Sequence, residues 1–182
     1  LAVAGAVVVG VLVLAAGRTE RGTGKRADAA PPPGLQEVAL GQRAASDYDP
    51  LGDRSEHPDQ TSAVVDGDRN STWSTERYDG GTLPKPGVGL VLDAAPGVAA
   101  RQLEIQTPTP GFTAECYVAR EGLPSTVASD GWTKLAGPLR VSARERIDLD
   151  TAGNRFRRYL IWITKLPPGK ESVDVSEVLL FR

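Results

Sequence analysis

The 182-residue sequence contains one cysteine, one histidine and no methionine, and only 5% of its residues are aromatic. A single Cys and a single His exclude an internal disulfide framework and a zinc cluster. The net charge of −2 argues against a nucleic-acid partner recruited by bulk positive charge. The hydrophobic share of 40% and the charged share of 24% are typical of a globular protein. Because Leu stands at position 1 and Met is absent, we expect this chain to be the C-terminal part of a longer polypeptide.

The first 17 residues, LAVAGAVVVGVLVLAAG, carry no charged or polar side chain. A helix of this length spans roughly 25 Å, against a hydrocarbon core of ~30 Å. Residues 1–17 therefore predict a single transmembrane helix, truncated at its start. A secretory signal core and a buried core helix remain as alternatives for the same run.

Residues 18–34 are expected to form a basic, proline-rich linker. Prolines near its end stiffen it toward polyproline II. A basic flank usually marks the cytoplasmic side of a membrane span, which would place the following domain inside the cell. That inference conflicts with the placement reached below. The four cations of the linker, offset by Glu20, are Arg18, Arg21, Lys25 and Arg26.

From Leu35 onward the sequence has the pattern of a β protein. Turn residues recur at short intervals and separate runs rich in Val, Ile, Leu, Tyr and Trp. Apolar and polar residues alternate at 103–106 and 147–150, as in strands whose two faces differ. Eight strands in a segment of this length predict an all-β, eight-stranded antiparallel jelly-roll sandwich over residues 35–182. The expected strands are 36–42, 87–93, 101–107, 113–119, 131–135, 145–149, 159–164 and 173–181.

The last of these strands contains an acidic residue among apolar ones. Without a bulge, Glu177 shares one face with Val173, Val175, Leu179 and Phe181, so its carboxylate points inward. An unpaired buried charge is very costly. The sequence leaves three solutions open: an arginine partner, a bound cation, or a bulge that turns the side chain outward.

Residues 63–75, AVVDGDRNSTWST, contain a turn with two carboxylates, Asp66 and Asp68. Such a turn by itself indicates only a hairpin. Calcium, however, takes roughly six to eight oxygen ligands without strict geometry. Asp66, Asp68, Thr72 and an inward Glu177 would supply such a set if the loop packs on the final strand.

The spacing A-x-x-D-G-D-x-x-x-T-W, together with the terminal run VSEVLLF, resembles discoidin-type (F5/8 type C) galactose-binding-like domains over about residues 36–182. The resemblance implies a jelly roll with a structural calcium ion, Ca2+, between the D-G turn and the last strand. It assigns Trp73 to the core and implies loops at one end that bind sugars, lipids or proteins. The two clamping cysteines of many animal members are missing here. The residues it assigns to the calcium shell are Asp66, Asp68, Thr72 and Glu177.

Residues 45–56, ASDYDPLGDRSE, and 85–93, KPGVGLVLD, resemble a narrower set of domains. These are extracytoplasmic C-terminal domains of actinobacterial membrane proteins, which follow a Ser/Thr kinase-like or lipid II flippase-like portion. The resemblance implies a single-pass protein of the cell membrane whose C-terminal domain is extracytoplasmic.

Other polar residues have simpler interpretations. His57 is expected at the surface without a catalytic partner, and Cys116 in the core as a small buried residue. A second group predicts either another cation site or a solvated acidic loop. Its members are Asp47, Asp49, Asp53 and Glu56.

Tyr48, Arg77 and Tyr78 fall in expected loops and are the candidate ligand contacts, because tyrosine rings and guanidinium groups stack on or hydrogen-bond to sugars. No nucleophile–base pair, phosphate loop or glycosidase signature stands out, so we expect no enzymatic activity of this chain. The predicted function is a membrane-anchored binding module for carbohydrate or cell-wall polymer. A protein-interaction or structural domain without a sugar site is the alternative, favoured by the scarcity of aromatic residues.

Overall fold

The computed structural model describes residues 33–182. The transmembrane helix expected over residues 1–17, and nearly all of the linker expected over 18–34, lie outside this range. Within residues 33–182, no helix has both the length and the apolar character needed to cross a bilayer.

The described residues form a β-sandwich with two short 3₁₀ helices, Pro58–Val65 and Asp79–Gly81. Ten strands are found in this part of the chain, where eight were expected. The additional strands are short and lie beside the loops described below. In chain order the strands are β1 (Ala45–Tyr48), β2 (Trp73–Ser74), β3 (Val88–Val98), β4 (Gln102–Gln106), β5 (Thr113–Ala119), β6 (Thr133–Arg140), β7 (Arg144–Asp148), β8 (Phe156–Lys165), β9 (Asp174–Val175) and β10 (Glu177–Phe181).

The strands assemble into two main sheets and one small ribbon. A five-stranded sheet has the order β1-β3-β8-β5-β6, a three-stranded sheet has the order β10-β4-β7, and β2 pairs with β9. Every pairing is antiparallel. The expected all-β antiparallel sandwich is therefore confirmed.

Strand β8 is the centre of the larger sheet because its sequence is apolar on both faces. Ile161 and Ile163 point into the main core between the sheets. Leu160 and Trp162 point to the opposite face, where they pack in a second apolar cluster with Tyr48. A continuous apolar run is the pattern of a strand covered on both sides.

The prediction of a first strand over residues 36–42 is wrong. Its backbone makes only an isolated bridge, Glu37 to Phe181, flanked by hydrogen bonds from Gln36 N–H to Arg182 O and from Val38 N–H to Leu180 O, each 2.8 Å. A turn after this segment then redirects the chain. The first strand of the larger sheet comes later, at β1.

The last expected strand is broken at Ser176. The N–H of Ser176 donates to Gln106 O at 2.9 Å, while Glu177 also lies opposite Gln106 in the ladder. Two residues facing one is a β-bulge, and it reverses the side-chain alternation. Val178 and Leu180 therefore face the main core, and Glu177 lies on the other face. Of the three solutions left open by the sequence the bulge is present, but Glu177 stays buried instead of turning outward.

Candidate functional site

Glu177 is buried despite its change of face, with 3% of its surface exposed. Its Oε1 accepts a hydrogen bond of 2.6 Å from the N–H of Gly67, whose φ is 81°. The D-G turn that contains Gly67 follows the 3₁₀ helix Pro58–Val65, and the last two residues of that helix are buried in the core. The structure thus brings the turn and the closing strand together, as the resemblance implied.

The carboxylates of the turn make hydrogen bonds within their own loop. Asp66 Oδ1 accepts from Asp68 N–H at 2.7 Å, and Asp66 Oδ2 accepts from the Ser71 hydroxyl at 2.8 Å. Asp68 Oδ1 accepts from Asn70 N–H at 2.9 Å. Within residues 33–182, no group of three or more His, Cys, Asp or Glu side chains is arranged to hold a metal ion. The calcium shell that includes Thr72 stays a prediction.

The acidic loop between β1 and the first 3₁₀ helix is organised by a lysine from a distant loop. Lys85 Nζ lies 2.8 Å from Asp49 Oδ1 and 2.9 Å from Glu56 Oε1. Both carboxylate side chains are fully buried, and only 11% of the Lys85 side chain is exposed. For Asp49 and Glu56, the solvated-loop interpretation is wrong, and the cation that binds them is an ammonium group of the chain itself.

Glu56 also fixes the backbone of the next loop. Its Oε2 accepts from Glu76 N–H at 2.7 Å, its backbone oxygen accepts from Trp73 Nε1 at 2.5 Å, and the Tyr78 hydroxyl donates to Oε1. Burial and this hydrogen bond raise the pKa of Tyr78. Burial alone would lower the pKa of Lys85, but hydrogen bonds to Asp49, Tyr78 and Glu56 outweigh it and raise that pKa.

Beside this network lies a cleft of about 760 Å³, which we call the Arg77 cleft. Two backbone hydrogen bonds extend the β2–β9 ribbon into its walls, from Thr75 N–H to Val173 O at 2.9 Å and from Tyr78 N–H to Glu171 O at 2.7 Å. The residues that line the cleft are His57, Thr75, Glu76, Arg77, Gly80, Gly81, Gly169, Lys170, Glu171 and Ser172.

The Arg77 cleft presents charged donors and acceptors to solvent. The Arg77 side chain is 75% exposed and pairs with Glu171 and, at 3.6 Å, with Asp79. His57 Nδ1 lies 2.9 Å from Ser74 O. Because a carbonyl oxygen only accepts, Nδ1 carries the proton, and Nε2 of the neutral ring is an acceptor. His57 therefore lines the Arg77 cleft, a placement that the sequence interpretation missed, and its φ of 53° marks a strained backbone there.

Of the three predicted ligand contacts, Arg77 alone is exposed. Tyr48 lies in β1 and is 4% exposed, with its ring packed edge-on against Trp132 and Trp162 at 5.8 Å. Tyr78 is 7% exposed, and its hydroxyl is occupied by Glu56. Burial leaves neither tyrosine ring with a face on which a sugar could stack.

A second, smaller cleft of about 350 Å³ lies beside Tyr48 and is bounded by Pro50, Arg54, Leu123 and Pro124. Leu51 and Leu123 are 52% and 49% exposed, and within residues 33–182 they are the large apolar residues that remain exposed. Leu51 directly follows Pro50 in the chain. Unlike the Arg77 cleft, this cleft therefore combines charged residues with an exposed leucine, Leu123.

Cys116 is a core residue, as expected. It is 2% exposed, and burial raises the pKa of its thiol to about 12. A thiol of this kind is unreactive.

No protein-family model matches this chain, and no curated protein matches it. Among solved structures, the chain is similar to the family 32 carbohydrate-binding module of NanJ from Clostridium perfringens in complex with galactose, with a TM-score of 0.57, 15% identity, and coverage of 81% of this chain and 99% of that one. A family 32 module of CpGH89 from the same organism, in complex with GalNAc-β-1,3-galactose, gives a TM-score of 0.58, 15% identity, and coverage of 81% and 100%. A chitosan-binding module from a Paenibacillus sp. IK-5 chitosanase/glucanase gives a TM-score of 0.59 and 11% identity, and the alignment covers 80% of this chain and 98% of that one.

These alignments extend over nearly the whole of each solved module, while the identities lie far below the level that carries a shared ligand. They therefore concern the arrangement of the strands. The chain has the discoidin-like, galactose-binding-like jelly-roll fold of family 32 carbohydrate-binding modules.

Proposed function

We propose that this chain is a non-catalytic carbohydrate-binding module whose ligand occupies the Arg77 cleft. The observation that carries the proposal is the exposed Arg77–Glu171 pair in the large cleft at the loop end of this fold. Support also comes from solved modules of the same fold, which bind galactose and GalNAc-β-1,3-galactose.

The chemistry of the cleft suits neighbouring sugar hydroxyl groups. A hydroxyl group both donates and accepts, so it can bridge the Arg77 guanidinium, a donor, and the Glu171 carboxylate, an acceptor. His57 Nε2 offers a further acceptor. An ion pair this exposed contributes only about 0–1 kcal/mol, so a ligand can insert into it at little cost.

The buried Glu56 carboxylate would prepare the cleft for binding. Its hydrogen bonds to Glu76 N–H and to the Tyr78 hydroxyl hold the residues on both sides of Arg77. Glu56 also directly precedes His57, which lines the cleft. A wall fixed in advance loses less conformational entropy when the ligand binds.

The test is a glycan array, followed by calorimetry of the full chain with the glycans that bind, galactose and GalNAc-β-1,3-galactose included. Arg77→Ala should abolish binding, because it removes the main donor of the cleft. Arg54→Ala, which removes an exposed arginine beside the smaller cleft, is the matched control and should bind normally. Binding to no glycan, or undiminished binding by Arg77→Ala, overturns the proposal.

A protein-interaction domain is the second candidate function, and the smaller cleft favours it. Within residues 33–182, no Phe, Tyr or Trp side chain lines the Arg77 cleft, whereas the exposed Leu123 lines the smaller cleft and the exposed Leu51 follows its lining residue Pro50. Exposed apolar groups beside a cleft are typical of a protein contact. This alternative would be supported if the chain binds no glycan but captures a protein partner, and if a variant with Leu51→Ser and Leu123→Ser no longer captures that partner.

We further propose that residues 1–17 anchor the chain in the cell membrane as a single span. The domain would then lie outside the cytoplasm, as the sensing or docking end of a larger kinase-like or flippase-like protein. The uncharged apolar run supports this proposal. Protease added to intact cells should remove the domain, and protection until the cells are lysed would contradict it.

A structural calcium ion at the D-G turn is a separate proposal. The donor chemistry fits a hard cation, since Asp66, Asp68 and Glu177 offer carboxylate oxygens around the turn and Thr72 adds a hydroxyl. The hydrogen bonds from Asp68 N–H and the Ser71 hydroxyl to Asp66 would have to rearrange. The ion would hold the turn to the closing strand and so stabilise the fold.

A further inference from the structure

At the end of the sandwich opposite the Arg77 cleft, three arginines that are distant in sequence come together. Arg101 N–H donates to Phe181 O at 2.8 Å. This bond places Arg101 beside Arg182, which follows Phe181 in the chain. Arg155 reaches the same end through bonds from Nε and Nη2 to Gly97 O at 2.9 and 2.6 Å. All three arginines are exposed. We call this group the arginine end.

Two adjoining shallow clefts lie between these arginines. One, of about 320 Å³, is lined by Arg155 and Arg182, and the other, of about 350 Å³, by Arg101 and Asp150. Both clefts include Ala99 and Gly153, so they meet along a floor of small residues. A ligand with several oxygen atoms could approach this floor while guanidinium groups surround it.

The guanidinium groups of the arginine end are not neutralised within residues 33–182. Arg101, Arg155 and Arg182 form no ion pair there, in contrast to Arg157 and Arg158, which both bind Asp93.

The carboxylate that lines these clefts, Asp150, accepts from Ala152 N–H at 3.0 Å. Glu37 lies opposite Phe181 but lines neither cleft, so among the residues that line the two clefts three guanidinium groups face one carboxylate. Their planar forks match the oxygens of a phosphate group, which they bind in bidentate fashion.

The position of the arginine end in the fold points toward a membrane surface. Val98 pairs with Phe156 at this end, whereas Val88 pairs with Ile163 at the end that carries the Arg77 cleft. The chain also enters the domain here, because Gln36 and Arg182 exchange both backbone hydrogen bonds, at 2.8 and 2.9 Å. The residues that precede this entry include the basic stretch 18–26 and the apolar run 1–17.

We propose that a phosphate-binding site, separate from the Arg77 cleft, is formed by Arg101, Arg155 and Arg182. Its ligand is a phosphate group, supplied either by an anionic lipid headgroup of the bilayer or by phosphate in solution. Bound to a bilayer, the site would hold the arginine end against the membrane and point the Arg77 cleft away from it.

Hydrogen exchange of the full chain in nanodiscs tests the site and separates the two sources. One arm compares nanodiscs of phosphatidylcholine alone with nanodiscs that also contain phosphatidylglycerol. The other arm adds millimolar sodium phosphate to phosphatidylcholine nanodiscs, with sodium chloride of equal ionic strength as reference. We expect slower exchange at residues 99–101, 150–155 and 180–182 in at least one arm. Protection in the first arm alone identifies the lipid, and protection in the second identifies free phosphate.

The protection must depend on the three arginines. A variant with Arg101→Gln, Arg155→Gln and Arg182→Gln should lose it, and the double variant Arg101→Gln with Arg182→Gln, which keeps the Arg155 bonds to Gly97, should weaken it. Arg54→Gln, Arg140→Gln and Lys165→Gln together remove the same charge elsewhere and should keep it. No protection in either arm, or protection that survives in the triple arginine variant, overturns the proposal. Neither result bears on glycan binding.

Discussion

Lys85 Nζ sits 2.9 Å from Oε1 of Glu56, and together these two residues join the acidic loop to the loop that leads into β3. Because Glu56 also binds the backbone of Glu76, the same pair supports one wall of the Arg77 cleft. A buried lysine thus couples the stability of the domain to the shape of its candidate binding site.

Lys85→Met should be strongly destabilising. It leaves the buried carboxylates of Asp49 and Glu56 without their cation, and breaking a buried ion pair on one side costs about 3–5 kcal/mol. Urea denaturation measures the loss. Lys165→Met, which removes an exposed lysine from the end of β8, is the control and should change the free energy of unfolding by less than about 0.5 kcal/mol. Equal stability of the two variants would contradict the role given to Lys85.

Gly52→Ala should disturb the same network from the other side. A Cβ atom at Gly52 would lie 2.1 Å from Asp49 Oδ2 and 2.6 Å from Lys85 Nζ, so the ion pair must shift. We expect a loss of about 1–3 kcal/mol, as for overpacked cores. Gly41→Ala meets no atom within 4 Å and should be neutral or slightly stabilising when both variants are compared by urea denaturation. A neutral Gly52→Ala would show that the network tolerates displacement.

The sequence pattern predicted much of the fold because alternation and apolar runs are local signals. The run at 159–164 predicted the central strand β8, and Glu177 was predicted to be buried near the D-G turn. The bulge at Ser176 was only one of three solutions left open for Glu177, because its formation depends on how two residues share Gln106 across the sheet.

The candidate site was less predictable, because its key contacts join residues far apart in the chain. Nothing in the local sequence links Lys85 to Asp49, nor Arg101 to Arg182. Tyr48 and Tyr78 were assigned to exposed loops since polar neighbours surround them, whereas tertiary packing buries both rings.

The domain should lose stability in acid, partly through Glu104. Burial alone would raise the pKa of Glu104, but hydrogen bonds from Arg144, Arg146 and Gln106 outweigh it and lower that pKa below its ordinary value of 4.5. The unfolded chain therefore binds more protons, so this stabilisation is complete above pH 4.5 and is lost as the pH falls through the lowered pKa.

Glu104→Gln tests this assignment in urea titrations at several pH values. It should lower the stability at neutral pH by about 1–3 kcal/mol, as for hydrogen bonds to a charged group, and make the loss in acid shallower. Glu121 is exposed, so Glu121→Gln should leave both the stability at neutral pH and its loss in acid unchanged. A variant that keeps the full acid dependence of the parent would contradict the role of Glu104.

The calcium proposal predicts a melting temperature that depends on the ion. EDTA should lower the melting temperature of the parent, and added calcium should restore it. Asp66→Ala and Glu177→Ala should have low melting temperatures that neither EDTA nor calcium moves. If EDTA leaves the parent unchanged, the turn is held by the Gly67 N–H to Glu177 hydrogen bond and the other contacts of Glu177 within the chain, with no metal.

The most direct test of the proposed function is an amide chemical-shift map of the full chain titrated with GalNAc-β-1,3-galactose and with the best glycan found on the array. We predict saturable shifts centred on residues 75–81 and 169–172, with His57 among them, and their disappearance in Arg77→Ala. Shifts confined to the smaller cleft around Leu123, or no shifts with any glycan, would contradict the assignment of the Arg77 cleft as a carbohydrate-binding site.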